Sequence, residues 1–354
     1  MAFTTINDPS AYFQTALYTG NGSTQSITND GNSNLQPDFL WVKGRTGAGE
    51  DHKLTDSTRG VTYTIESNED TTQYNDTNGS TAFNSDGFSL GDNGNYNDNG
   101  NTYAAWQWKC NGGTTASNSD GSITSTVQTN TTPGFSIVKW TGTTSNATVG
   151  HGLGVAPDCI FFKNYTDTSN WTTYHSILGN SGGMYLNLTD AFNTASSWYQ
   201  DTSPTSSVFS VGTNSKTNGG TMVAYCFANI KGFSRCSIFK GTGDATDGAF
   251  IYCGFKPAYI MMKKSSDNSG ANWGIFDIKR EGYNSNNQDL RANTNSGEGT
   301  DADILDITST GFKIRSTSGG FGGGDGSDYI YLAFAQQPLV ASNTVCATTR
   351  VGTK

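Results

Sequence analysis

A segment of the form Pro-x5-Lys inside an apolar run occurs three times in this chain, and this recurrence restricts the fold more than any other feature. The copies are Pro37-Asp38-Phe39-Leu40-Trp41-Val42-Lys43, Pro157-Asp158-Cys159-Ile160-Phe161-Phe162-Lys163 and Pro257-Ala258-Tyr259-Ile260-Met261-Met262-Lys263. Other landmarks keep step with them. Glycines that follow an aromatic–Thr/Lys pair, Gly20, Gly142 and Gly241, precede each proline at a near-constant distance. A Gly-Phe or Val-Phe start to a strand follows at Phe88, Phe209 and Phe312, and an aromatic-rich segment around Ala105, Ala224 and Ala333 closes each unit. Self-similarity at a fixed period takes precedence over any local prediction. It predicts three copies of one module within the usual ~100–150 residue domain size.

The residues between the landmarks indicate the class of module. Only 14% of the chain is charged and 34% is hydrophobic, with polarity carried by Asn, Ser, Thr and 44 Gly among 354 residues. Short aromatic strands between Gly/Asn turns, with no long amphipathic helix, predict an all-β protein. We expect three tandem β-sandwich repeats of jelly-roll-like form. The expected divisions are a lead-in over 1–15, repeats over 16–110, 134–230 and 231–340, a Gly/Ser/Thr/Asn-rich linker over 111–133 and a tail over 341–354. Within the linker, Ser122–Val127 alternates with period two, so part of it is expected to pair as an edge strand. Only Asn229–Lys231 separates the second and third repeats, which predicts modules joined end to end as a rod.

Charge and targeting signals exclude several classes. The net charge of −9 argues against a sequence-independent grip on nucleic acid, which needs a basic stripe. No run of about 18 apolar residues is present, so no helical membrane insertion is expected. The N-terminal residues carry neither a basic region nor an apolar core and do not read as a signal peptide. The six cysteines show no Cys-x-x-Cys pairing and do not recur at equivalent positions. A reduced protein made in a cytoplasm is expected, with no zinc site.

Candidate chemistry is sparse, and no enzyme is expected. His52, His151 and His175 lack a nominated partner, and His151 lies in a glycine-flanked turn. Asp301, Asp303 and Asp306, or Asp277 with Glu281, could pair as glycosidase carboxylates, but none of them repeats. Gly319–Gly326 lacks the Lys-Ser/Thr ending of a phosphate cradle and reads as a flexible tip. Asp92–Asn99 offers oxygen ligands for calcium without the bidentate Glu of an EF-hand loop. No cofactor or metal is expected. Lys43, Lys163 and Lys263 read as solvated strand ends that protect an edge. The rings Trp106, Trp108, Tyr225, Phe227, Tyr331 and Phe334 recur at strand spacing and read as core. Trp171, Trp198, Tyr199 and Tyr96 stand in or beside polar loops. There an exposed ring would stack on a sugar face, or a buried one would anchor the loop, and these four are the candidate ligand-binding residues.

Several segments taken together resemble a known group. They are Ile6–Thr15 running into Leu17–Gly22, Gln36–Lys43, Cys110–Thr115, His151–Pro157, Ala224–Ala228 and Gly254–Pro257. Along residues 1–340 the chain resembles the repeat-containing virion proteins of tailed bacteriophages that infect marine bacteria. That resemblance implies a virion protein assembled in a host bacterial cytoplasm and supplies no catalytic residues. The expected role is a tail fibre or adhesin presenting polar loops to the host surface. Its expected partners are other virion proteins, further copies of itself (a trimer, for a fibre) and a host surface glycan. The alternatives are a head-decorating or tail-cementing protein and, less favoured, a glycan depolymerase.

Overall fold

The three Pro-x5-Lys segments all form strands, because each apolar run follows a residue that needs no ladder N–H at the start of a sheet. A computed structural model describes residues 4–47, 49–267, 270–300 and 303–338. In it the segments become the central strands Phe39–Gly44, Cys159–Asn164 and Phe255–Lys264. Pro37 and Pro157 lie just outside their strands. Pro257 lies within its strand, where the register shifts on both sides of it, as expected of a proline at a bulge.

Each central strand lies beside a closing strand, Thr102–Trp108, Thr221–Phe227 or Asp328–Pro338, which in turn pairs with an opening strand, Phe13–Thr19, Phe135–Thr141 or Ser234–Lys240. On the other side of the central strand run Lys53–Asp56, Thr172–His175 and Gly274–Asp277, followed by Gly60–Glu66, Gly179–Tyr185 and Leu290–Arg291. All pairings between these strands are antiparallel, and the order opening–closing–central–following is the same in the three large sheets. Three small sheets accompany them, built on Gln25–Ile27 with Gly87–Leu90, Ala147–Gly150 with Val208–Val211, and Phe250–Tyr252 with Gly311–Ile314. None of the sheets closes on itself, and among the described residues each α-helix is one turn of four residues. The protein is therefore all-β, as its composition predicts.

The expected rod is not what forms. Alternate residues of a strand face opposite sides of its sheet. In the first sheet Leu40 and Val42 pack under the small sheet with Phe88 and Leu90, while Phe39 and Trp41 face the other way. That second face joins Phe161, Tyr225 and Phe227 of the second sheet and Tyr259, Met261 and Phe334 of the third in one core. Trp108, Phe227 and Phe334, which occupy the same register position in the three closing strands, touch one another at centroid distances of 6.2, 5.6 and 5.6 Å. The sheets stand side by side around these rings. A sheet with one solvated face shows apolar/polar alternation, whereas one covered on both faces shows continuous apolar runs. The central segments are such runs.

The expected linker is also partly structured. Ser125–Asn130 adds to the outer edge of Phe135–Thr141, and Ala116–Asn118 adds to Ser125–Asn130. The Asp38 carboxylate receives the N–H groups of Cys110, Gly112 and Gly113 and so secures the start of this connection. Its counterpart Asp158 receives the N–H of Asn229 at the next connection. The tail over 341–354, with Cys346, lies outside the described residues. The other five cysteines are buried and free.

Candidate functional site

The four candidate ligand-binding rings are all buried, which corrects their reading as exposed stacking platforms. Trp171 is 0% exposed and its indole donates to the Glu66 carbonyl at 2.8 Å. Tyr96 is 0% exposed and its hydroxyl lies 2.8 Å from that of Thr64. Trp198 and Tyr199 sit in the one-turn helix Ser196–Tyr199, packed on Tyr185 and Phe162 respectively. Each ring anchors its polar loop on the core, so none can meet a sugar face. The recurring rings Trp106, Trp108, Tyr225, Phe227, Tyr331 and Phe334 are buried as expected.

Trp171 belongs to a cycle of contacts that the sequence reading missed. The residue just before each following strand is His52, Trp171 or Trp273. His52 Nε2 meets the Arg291 carbonyl of the third sheet at 3.0 Å, Trp171 Nε1 meets Glu66 of the first, and Trp273 Nε1 meets Tyr185 of the second at 2.8 Å. Each of the three is held by an asparagine two residues beyond its sheet's own acceptor: Asn68, Asn187 and Asn293 accept their backbone N–H groups. The trace of the cycle in the sequence is the triplet Asn68, Asn187 and Asn293, each two residues past the acceptor of its own sheet.

The three lysines are not solvated strand ends. Lys43, Lys163 and Lys263 are all fully buried. Lys43 Nζ donates to the carbonyls of Gly44 and Asn295, Lys163 to that of Ser169 at 2.5 Å, and Lys263 to those of Thr189 and Lys264. Burial pulls each ammonium down to about 8, with nearby acids opposing: Glu50 for Lys43, Asp70 for Lys163 and Asp190 for Lys263. Lys43 and Lys263 thereby hold a loop of the adjoining sheet, and Lys163 a loop of its own.

Apart from Asp303, which is exposed, the described candidate carboxylates and the histidines are likewise held by neighbours. Asp277 receives Arg280 Nε at 2.7 Å and the Trp106 indole at 3.0 Å, both across buried surfaces. Asp56 repeats the motif with Arg59 and the Tyr225 hydroxyl. Glu281 accepts from Asn287 N, Asp306 pairs with Arg315, and Asp301 lies outside the described residues. His151 is a turn histidine: its Nδ1 accepts from Leu153 N and its Nε2 meets the Thr205 carbonyl. In Asp92–Asn99, Asn93 caps a helical turn and turns its amide nitrogen to Asp76, and Asn97 donates to two backbone carbonyls. Inward donors do not suit a cation, and no metal-sized cluster of His, Cys, Asp or Glu occurs among the described residues. The Gly319–Gly326 segment is tethered: Tyr329 Oη donates to Gly319 O and accepts from Gly324 N.

His175 takes the place of Asp56 and Asp277 in the second sheet. Its Nε2 meets the Tyr331 carbonyl at 3.4 Å, and its buried Nδ1 has no hydrogen-bond partner. Desolvation of the imidazolium brings it down to about 4. The unfolded chain binds this proton near pH 6.5 and the folded chain does not. The stability contribution is therefore complete above pH 6.5 and is lost as the pH falls to about 4. The expected loss is about 3 kcal/mol over that window. Denaturant titrations at pH 7 and pH 4.5 should show most of this slope missing in His175→Gln, and an unchanged slope would refute the assignment.

An exposed polar surface recurs at one end of the three large sheets. Strand registers place Thr19 opposite Thr102, Thr141 opposite Thr221 and Lys240 opposite Asp328, with Gly44 one step further in, opposite Tyr103. Just beyond lie Gly20, Gly142 and Gly241, where an added Cβ would come within 2.1–2.4 Å of the backbone at Asp98, Asn218 and Gly324. This close approach explains the recurring glycine. Exposed polar loops follow at Asn21–Thr24, Thr143–Asn146 and Thr242–Asp244. Two residues past each glycine the backbone is left-handed: Gly22 φ 65°, Thr144 φ 53°, Gly243 φ 71°. Thr144 holds this conformation at a steric cost that glycine avoids. The other end of each sheet carries Phe13, Phe39 and Trp108 or their counterparts, the connections after Trp108 and Phe227, and both ends of the described chain.

A protein-family profile described as Domain of unknown function (DUF7483) matches residues 8–338. No curated protein matches the chain.

Proposed function

The chain belongs to that family, and from this premise we propose that it is a non-enzymatic bacteriophage virion protein that acts as the head of a tail fibre or adhesin. We read its sheets as three sandwich modules of one kind, standing side by side about a pseudo-threefold axis. The observation that carries the reading is their common polarity. Three equivalent polar loops project at one end, and both ends of the described chain and both connections lie at the other. Such a body is suited to attachment through one end and display from the other. Weak equivalent loops gain avidity of ~10²–10⁴ when they engage a surface together. Committed histidines, carboxylates and lysines favour binding over catalysis. The resemblance to marine-phage virion proteins supplies the location.

One chain already provides threefold geometry, so the trimer expected of a fibre is not needed to build the head. Further copies would serve to multiply it. The ligand in this reading is a host surface glycan met by the loops, since the candidate rings are buried. Fluorescently labelled protein should bind host cells saturably and non-host bacteria not at all. Replacing Thr143–Asn146 and its two equivalents by Gly-Ser should abolish binding while leaving the melting temperature intact. Binding that survives all three replacements would remove the loops from the proposal. A well-folded protein that never binds the host would favour the architectural alternative of cementing other virion proteins, which the burial of Trp171, Trp198, Tyr199 and Tyr96 also supports.

A further inference from the structure

The three opening strands have equivalent outer edges, and among the described residues two of those edges are completed at one matching position. Ile137, Cys236 and Thr15 occupy one register position, opposite Tyr225, Leu332 and Trp106. At Ile137 the edge is covered by the added strand Ser125–Asn130, with Gln128 directly opposite. Gln128 then crosses the seam to the neighbouring sheet, and its amide donates to Ser57 Oγ at 2.9 Å and Thr58 Oγ1 at 2.8 Å. At Cys236 the side-chain amide of Asn229 does the same work, accepting from Cys236 N and donating to Cys236 O.

At Thr15 neither device is present. Phe13–Thr19 is the edge strand of its sheet; among the described residues no strand adds to its outer side, and the Gln25 amide meets it only at the Thr19 carbonyl. By register with Cys236, the N–H and C=O of Thr15 point to that side. A cleft of about 220 Å³ lies there, with Gln14, Thr15, Ile278, Lys279 and Gln337 in its walls. Ile278 and Lys279 follow Asp277 as Ser57 and Thr58 follow Asp56, so the cleft is the vacant counterpart of the slot that Gln128 fills. Thr15 Oγ1 is buried without a hydrogen-bond partner. An Asp30–Lys279 ion pair closes the rim and leaves it without net charge. The reason for the vacancy is topological. The connections 109–133 and 229–233 serve the other two seams, and the third joins the first and last sheets, which no internal connection crosses.

We propose that this cleft is a strand-docking slot, filled by an extended segment of another polypeptide that adds to the edge at Thr15. The occupant is a peptide because the two equivalent edges are completed by peptide or amide groups, and an open sheet edge recognises a strand through its backbone. By the precedent of Ser125–Asn130 its side chains are small and uncharged, with an amide or hydroxyl opposite Thr15 that reaches Ile278 and Lys279. The slot is continuous with the seam between the first and third sheets and does not depend on the virion assignment.

The probe is a blocked synthetic peptide with the sequence of residues 122–131, the segment that fills the equivalent slot. Amide hydrogen exchange is followed in the full chain. Alone, Thr15 N–H should exchange on the order of 100-fold faster than Ile137 and Cys236, and millimolar peptide should slow it ~10-fold or more. A peptide N-methylated at the glutamine should give no protection. Asn32→Trp, at an exposed position lining the cleft, should block the peptide without altering the melting temperature. Absence of protection by the peptide would overturn the proposal. So would a Thr15 amide already protected in the chain alone; if that protection vanished when the chain was ended at Pro338, the slot would belong to the chain's own residues.

Discussion

Replacing Arg280 with Met should lower the unfolding free energy by about 3–5 kcal/mol, because it strands a buried carboxylate. Arg280 bonds Asp277 at 2.7 Å, the Ile275 carbonyl at 2.7 Å and Glu298 at 3.2 Å, and both members of the Asp277–Arg280 pair are wholly buried. Asp277 also receives the Trp106 indole from the first sheet, and Glu298 binds Arg45 of that sheet. The loss should therefore loosen the seam between the first and third sheets as well as the turn. The chain contains its own control. In the second sheet the same two positions are His175 and Leu178, an uncharged pair in an equivalent setting. Transplanting them as Asp277→His with Arg280→Leu should restore stability to within about 1–2 kcal/mol of the parent, because a neutral replacement leaves no uncompensated charge. Urea denaturation at pH 7.5 measures both. If Arg280→Met costs under about 1 kcal/mol, the pair does not hold the seam.

Trp108→Ala should cost about 3–5 kcal/mol, the range for deleting a large buried aromatic. Its ring contacts Phe13 and Phe39 of its own sheet, Phe227 of the second, and Tyr259 and Phe334 of the third. Its indole N–H is buried without a partner, so the loss is one of packing and not of hydrogen bonding. A shared core also predicts that circular dichroism and tryptophan fluorescence report one coincident transition in both parent and variant. A rod of separate modules would lose only its first unit and unfold in steps. Two separated transitions in Trp108→Ala would therefore argue against a common core.

The extent to which the site was legible can be judged from particular residues. The glycine after each opening strand was visible as a recurring stop, and the close backbone approach at Gly20, Gly142 and Gly241 explains it. The recurring rings were readable as core because their spacing matched a strand. Lysines 43, 163 and 263 were misjudged because a lysine after an apolar run normally reaches water. Here a loop folds over each ammonium and offers it carbonyls, a loop of the adjoining sheet at Lys43 and Lys263 and of the same sheet at Lys163. Trp171, Trp198, Tyr199 and Tyr96 read equally as stacking platforms or as loop anchors, and burial decides for anchors. Polar neighbours in sequence suggested exposure, yet a ring in a polar loop has the most apolar surface to hide, and the loop folds over it.

From residue order alone came the all-β class, the recurrence of one pattern three times, the strands around Pro37, Pro157 and Pro257, and the lack of a repeated catalytic constellation. Those properties depend on side-chain alternation, turn residues and short-range spacing, which a linear pattern records. Tertiary structure decided that the sheets pack side by side, that lysines and loop aromatics are interior, and that among the described residues no strand adds to one of the three equivalent edges. These follow from contacts between residues a hundred or more positions apart, such as Trp106 with Asp277 and Trp171 with Glu66. The continuous run Phe39-Leu40-Trp41-Val42 announces that both faces of its strand are covered. It does not say by what, because burial is a property of a surface and of whatever the rest of the chain places upon it.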